Sequence, residues 1–138
     1  MKFIFKLFMS LQVFLYRLSG GKLGGEMGKF KLLILTTKGR KSGKMFSHPV
    51  GYFERDGGYI IIASNNGQDK NPAWYYNIKG NPNDVSIQVM DKKMKVKPEI
   101  LLGEARRPLY DWIASIAPNY GEYEKKTTRE IPLVLLKR

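Results

Sequence analysis

The chain has 138 residues, the length of one domain, since two independent cores rarely fit in it. Hydrophobic residues make up 43% and charged residues 26%, which excludes a disordered chain, and 24 Lys+Arg against 12 Asp+Glu give a net charge of +12 that points to an anionic partner. Zero cysteines and a single histidine, His48, exclude a disulfide scaffold, a thiolate nucleophile and any Cys- or His-rich metal centre.

Met1 to Ser19 places Ile4, Leu7, Phe8, Leu11, Phe14, Leu15 and Leu18 on one helical stripe, flanked by Lys2, Lys6 and Arg17. The run is too short and too charged to cross a bilayer, and Lys6 interrupts the apolar stretch a signal peptide needs. It reads as an amphipathic helix whose apolar face either lies in a membrane interface or covers the domain or a second subunit. Gly20, Gly21, Gly24, Gly25 and Gly28 make the next segment a hinge. Their spacing is not a dinucleotide fingerprint, and a strand rather than a helix follows. The expected organisation is therefore helix and Gly-rich hinge over 1–28, and a barrel domain over 29–138.

In that domain Leu32 to Thr36 reads as a strand, followed by a turn through Gly39 to Gly43. Phe46 to Arg55 and Tyr59 to Ser64 flank Asp56-Gly57-Gly58, a hairpin turn that tolerates positive φ. Asn71-Pro72 predicts a helix start, with Asn as cap and Pro as first helical residue, ending near Gly80. Val85 to Val89 and Lys93 to Lys97 alternate around Asp91-Lys92 as a second hairpin. Glu104 to Ile116 is helical, Pro118 breaks it, Tyr120 to Lys126 is a short helix, and Ile131 to Leu136 is the last strand. About six strands with inserted helices predict an α+β protein, mainly β: a small antiparallel barrel.

Three clusters carry chemistry. Lys38-Gly39-Arg40-Lys41-Ser42-Gly43-Lys44 sets four cations and a hydroxyl in a glycine-flanked turn, which is not a Walker loop yet offers amides, guanidinium and ammonium to a phosphate. Its other reading is a solvated hairpin tip. Ala63-Ser64-Asn65-Asn66-Gly67 with Pro72-Ala73-Trp74-Tyr75-Tyr76-Asn77 predicts a polar pocket with an aromatic wall, although Trp74 alone reads as core. Pro118-Asn119-Tyr120-Gly121-Glu122-Tyr123 puts two phenols on one helix face. A Ser, His48 and Asp56 triad lacks a nucleophile elbow.

Taken in order, these clusters resemble the deazaflavin-dependent nitroreductase family, small split-barrel proteins that bind coenzyme F420. The similarity runs from about Gly20 to the C-terminus and takes in Leu32 to Gly43, Ala63 to Asn65, Asn71 to Asn77, Pro118 to Tyr123 and Arg129-Glu130-Ile131-Pro132. The resemblance implies a split barrel and an F420-dependent oxidoreductase that passes a hydride to a small, apolar acceptor such as a quinone, enone or nitro compound. It assigns cofactor contacts to Arg40, Lys41 and Ser42 for the anionic tail, to Ser47, His48, Pro49 and Val50, to Ile62, Ala63, Ser64 and Asn65, to Ala73, Trp74, Tyr75, Tyr76 and Asn77, and to Tyr120. Tyr120, Tyr123 and Ser64 fall on its catalytic, substrate-side positions. Phe46, Gly51 and Ala117 depart from a family member's basic residue and two tyrosines, so nitroimidazole reduction does not carry over.

Two other classes stay open. One is a non-catalytic carrier of F420 or of FMN; the other is a nucleic-acid binder, against which the cations are spread along the whole chain. The expected partners are a small acceptor, an anionic membrane surface met by the N-terminal helix, and a second copy in a homodimer, with no nucleic acid. The expected location is the cytoplasm, peripheral on the inner face of the cell membrane.

Overall fold

A computed structural model describes residues 26–27 and 30–138. The amphipathic stripe of residues 1–19 lies outside the described residues. Strand β1 (Glu26–Met27) pairs antiparallel with β2 (Phe30–Lys38), so the ladder begins inside the segment expected to be hinge. Main-chain pairing needs only an available edge, and glycine content does not report one.

In β2, Leu32, Leu33, Ile34 and Leu35 are all buried. Both faces of the strand are covered, which is why its sequence is a continuous apolar run and not an alternation. The eleven-residue β3 (Met45–Arg55) pairs along its first part with β2 and, from Tyr52 on, with β4 (Gly58–Ile62). Asp56 and Gly57 close the β3–β4 hairpin with φ of 54° and 77°, the backbone a two-residue turn requires. A 3₁₀ turn at Asn65–Gly67 leads to helix α1 (Ala73–Gly80), then β5 (Val85–Val89), β6 (Lys92–Lys95) and β7 (Lys97–Leu101). A second 3₁₀ turn at Gly103–Ala105 precedes α2 (Arg107–Ile116), α3 (Pro118–Lys126) and the last strand, β8 (Leu133–Lys137).

Seven strands run in the order β6-β5-β2-β3-β4-β8-β7, all antiparallel. Its two outermost strands, β6 and β7, are separated in the chain by Val96 alone. The sheet must therefore curl until its edges meet at that residue, and the Val96 amide donates to the Val85 carbonyl at 3.1 Å. The expected count of about six strands is corrected by β7. Pro98 weakens the strand signal there, yet proline is tolerated on an outermost strand with one ladder.

The curl makes two cores. Leu33, Leu35, Ile61, Val85, Ile87, Val134 and Leu136 meet Trp74, Tyr75 and Ile78 of α1 in one cluster. Ile60, Ile62 and Leu133, on the opposite faces of β4 and β8, meet Tyr110, Ile113, Ala117 and Tyr120 of the α2–α3 pair in the other. The period-2 alternation along β4 and β8 thus sorts residues between the two clusters. Each fully buried aliphatic side chain contributes about 1.5–3 kcal/mol, so truncating Ile61 alone would cost about 2–5 kcal/mol.

The helix pair is tied down by Arg106, 3% exposed. Its Nη2 meets Glu124 Oε2 at 2.7 Å, its Nε donates to the Ile131 carbonyl, and its guanidinium lies 4.2 Å over the Tyr110 ring. Arg107 donates to both carboxylate oxygens of Glu124, each at 3.0 Å, and to Asp111.

Candidate cofactor and acceptor site

The cationic turn has a built interior. The Gly39 amide donates to the Lys44 carbonyl at 2.7 Å and the Gly43 amide to the Gly39 carbonyl at 3.0 Å. A Cβ on Gly39 would stand 2.7 Å from Ser42 Oγ and 2.8 Å from Phe46, so a larger residue at this bend would push both side chains aside. Ser42 Oγ accepts from the Lys44 amide at 3.2 Å, while Arg40, Lys41 and Lys44 are exposed.

Helix α1 braces the turn. Asn77 Oδ1 accepts from both the main-chain amide and Nη1 of Arg40, each at 3.2 Å, and Asn77 Nδ2 donates to Thr37 Oγ1 at 3.3 Å. The Arg40 guanidinium sits 5.1 Å over the Tyr76 ring. Arg40, Tyr76 and Asn77 thus come together, with Asn77 buried beneath the arginine. Ala73 and Tyr76 face out, whereas Trp74, Tyr75 and Ala63 are buried in the cluster against α1 and Ile62 in the cluster against the α2–α3 pair.

Beside the turn, Ser47, His48, Pro49 and Val50 are half-buried on β3, and Ser47 Oγ lies 2.8 Å from Thr36 Oγ1. Burial pushes the His48 pKa below its ordinary value and keeps the imidazole neutral.

The loop from Ala63 to Pro72 is organised by Arg129, which lies within the resemblance but is assigned no role by it. Arg129 Nη2 donates to the carbonyls of Ala63 (3.2 Å) and Ser64 (2.9 Å), Nε donates to that of Gln68 (2.8 Å), and Nη1 donates to Asn71 Oδ1 (2.7 Å). Asn71 is therefore not a helix cap: Pro72 occupies the cap position of α1 and Asn71 is drawn to Arg129. Asn65 Nδ2 donates to the Lys70 carbonyl at 3.0 Å, which turns that amide back onto its own loop. No local signal marks Arg129, because its four acceptors lie about sixty residues earlier in the chain.

At the other end of β3, Tyr120 is 9% exposed and packs edge-on against Phe53 (5.9 Å between centroids) and Tyr123 (5.7 Å). Its hydroxyl would stand 3.3 Å from a Cβ on Gly51, so the glycine lets the phenol approach the strand. Burial, with Tyr123 adding, pushes the Tyr120 phenol up to about 12. Tyr120, Gly51 and Phe53 border a cavity of about 500 Å³ walled also by Lys31, Ile116 and Pro118. Ser64 and Tyr123 are not among its walls.

A model of the F420H(2)-dependent quinone reductase family matches residues 8–138. The chain belongs to this family. An F420H(2)-dependent quinone reductase of Mycobacterium tuberculosis (strain H37Rv) is 32% identical over 130 residues, covering 90% of this chain and 85% of that protein. A solved structure of an F420-H2 dependent reductase, FDR-A, is 37% identical with a TM-score of 0.68, covering 77% of this chain and 93% of its own. A second, described as a domain-swapped dimer, is 37% identical with a TM-score of 0.69, covering 77% and 79%. The heme storage protein HutZ of Vibrio cholerae, 13% identical with a TM-score of 0.59 over 80% and 82%, shares the fold alone. The family is one of F420-dependent oxidoreductases with split-barrel folds, as the resemblance implied.

Proposed function

We propose that this protein holds reduced F420 at the cationic turn and reduces a quinone-type acceptor in the Tyr120 cavity. The observation that carries this reading is the Arg40 guanidinium, exposed yet held by Asn77 and Tyr76. The F420 tail is a polyanion of phosphodiester and glutamates, and it suits a turn bearing Arg40, Lys41 and Lys44 on a protein of charge +12. The Ser42 amide and hydroxyl would complete the tail site, and Ser47 to Val50, Ser64, Asn65, Ala73 and Tyr76 would line the rest of the cofactor site. The buried Ile62, Ala63, Trp74 and Tyr75 shape that site from beneath.

When bound, reduced F420 supplies the hydride. The chain's own task is to orient, dry the site and manage negative charge. Tyr120 stays protonated at neutral pH and offers its O–H to an acceptor oxygen that gains charge as the carbonyl accepts hydride. The proton that accompanies the hydride comes from Tyr120, Tyr123, Ser64 or solvent. Tyr123 fixes the Tyr120 ring by edge contact, and Ser64 is assigned to the acceptor side on the resemblance. The test is anaerobic stopped-flow oxidation of reduced F420 by quinone, enone and nitro acceptors, beside spectral titrations with F420 and FMN. Fastest turnover is expected with quinones. Tight F420 binding without turnover on any acceptor would make the protein a carrier.

We also propose that residues 1–19 hold the protein to the cytoplasmic face of the membrane. The support is the apolar stripe with its flanking Lys2, Lys6 and Arg17, each cation being worth about 1 kcal/mol near an anionic leaflet. Co-sedimentation with anionic vesicles, weakened by high salt, is expected; equal recovery with neutral vesicles would refute it. A second copy is the other partner we propose, supported by the relative described as a domain-swapped dimer, and light scattering of the full chain tests it.

A further inference from the structure

Asn65, Asn66 and Gly67, in the loop that follows β4, have consecutive left-handed backbones, with φ of 47°, 57° and 77°. Asparagine and glycine tolerate that region, yet three such residues in a row keep it only where their surroundings hold them. The holders come from the other end of the chain. The Arg129 guanidinium grips the loop from Ala63 and Ser64 at one end to Gln68 and Asn71 at the other. Lys126 Nζ donates to the Asn66 carbonyl at 3.1 Å, and Thr127 Oγ1 donates to Asp69 Oδ1 at 2.8 Å. Gly67 rests against α3 itself, because a Cβ there would stand 3.2 Å from both the Cα and the carbonyl oxygen of Tyr123. Loop and helix thus meet through their main chains.

We infer that Arg129 is a positioning residue: it couples this loop to α3 and thereby fixes how the cofactor side of the site faces the acceptor side. The inference rests on the proposed function, in which Ser64 and Asn65 line the cofactor site and Tyr120 serves the acceptor. Ser64 and Asn65 sit on the loop and Tyr120 and Tyr123 on α3, so the spacing between the two sides is the spacing between loop and helix. Hydride transfer needs reacting atoms about 3–3.5 Å apart, and a displacement of about 1 Å costs about 100-fold. The planar guanidinium meets all four acceptors from one rigid fork, which an ammonium on a flexible stem cannot do. These bonds are made within the loop, so Arg129 acts on cofactor and acceptor only through it.

The test uses the full chain carrying Arg129→Lys, which keeps the charge and loses the fork. Amide hydrogen exchange, a readout without turnover, is expected to rise in both 64–71 and 118–126 while Tyr59 to Ile62 of β4 stay protected. F420 affinity by fluorescence titration is expected to change less than about threefold, because the cationic turn is untouched, while kcat with a quinone falls about 10–100-fold and acceptor KM stays within about threefold. Added guanidinium ion is expected to raise the turnover of Arg129→Ala and to leave that of the unsubstituted chain unchanged. Exchange that rises in 64–71 alone, an unchanged kcat, or an F420 affinity that falls as far as kcat does overturns the proposal. If Arg129→Lys does not fold, Lys126→Ala combined with Thr127→Val removes the two exposed ties. That variant is expected to give the same pattern with a smaller fall in kcat, and an unchanged kcat in it overturns the proposal as well. If both segments loosen in Arg129→Lys while no quinone oxidises reduced F420 with the unsubstituted chain, the acceptor reading fails and the coupling stands.

Discussion

The buried hydroxyl of Tyr110 donates a 2.7 Å hydrogen bond to the main-chain carbonyl of Tyr120, joining α2 to the first turn of α3. Burial, with the Glu124 charge adding, raises the Tyr110 phenol well above its ordinary range, so it remains a donor at any working pH. Tyr110→Phe leaves that carbonyl without its partner inside the protein and should cost about 1–3 kcal/mol. Urea denaturation measures the loss. Unchanged stability would mean that water or a shift of α3 satisfies the carbonyl.

Tyr120→Phe keeps the ring contacts with Phe53 and Tyr123 and removes the donor. Turnover with quinones should fall about 10²–10³-fold, the usual cost of one lost donor to a developing oxyanion, with F420 affinity unchanged. Gly51→Ala tests the same geometry from the strand side. Its Cβ, 3.3 Å from the phenol oxygen, should displace Tyr120 and raise KM for the acceptor more than it lowers kcat. Full activity in both variants would remove Tyr120 from the reaction.

Arg40→Ala combined with Lys41→Ala should weaken F420 binding by about 2–5 kcal/mol, as for truncated charge-assisted contacts, and flatten its salt dependence. Asn77→Ala leaves every cation in place and removes the acceptor that holds Arg40, together with the bond to Thr37. It should weaken binding by about 1 kcal/mol, the cost of ordering one long side chain on binding. Isothermal titration at two salt concentrations separates the two effects. An Asn77→Ala loss as large as the double variant's would make Asn77 a direct contact.

Stability should fall in two steps on the acid side. His48 binds protons more weakly in the folded state than its ordinary value of 6.5 allows. Its contribution is therefore complete above that pH and is lost as pH falls from there toward the folded value. His48→Gln should flatten this first step in thermal melts. Burial opposes the charge of Glu124, yet hydrogen bonds from Arg107 and Arg106 outweigh it and hold the carboxyl below 4.5. That contribution is lost only as pH falls through the folded value, below 4.5. Glu124→Ala should remove the second step and cost about 3 kcal/mol at neutral pH, because buried Arg106 loses its counter-charge.

Features that depend on neighbouring residues were legible without the fold. Asp56-Gly57 forms a tight turn because its backbone angles are set locally, and the cationic turn is where its glycines place it. Leu33 with Leu35, and Ile60 with Ile62, announce strands by their own pattern. Features settled by distant partners were not legible. Asn71 has the composition of a helix cap, but Arg129, 58 residues later, takes its side chain. Trp74, Tyr75 and Tyr76 are adjacent aromatics, and only the docking of α1 on the barrel decides that the first two are buried and the third stacks under Arg40. Lys97 to Leu101 becomes a strand because β8 offers an edge, against the signal of Pro98. The cavity beside Tyr120 is of this second kind: Gly51 and Phe53 lie more than sixty residues before Ile116, Pro118 and Tyr120, and a cavity exists only where packed elements leave space between them.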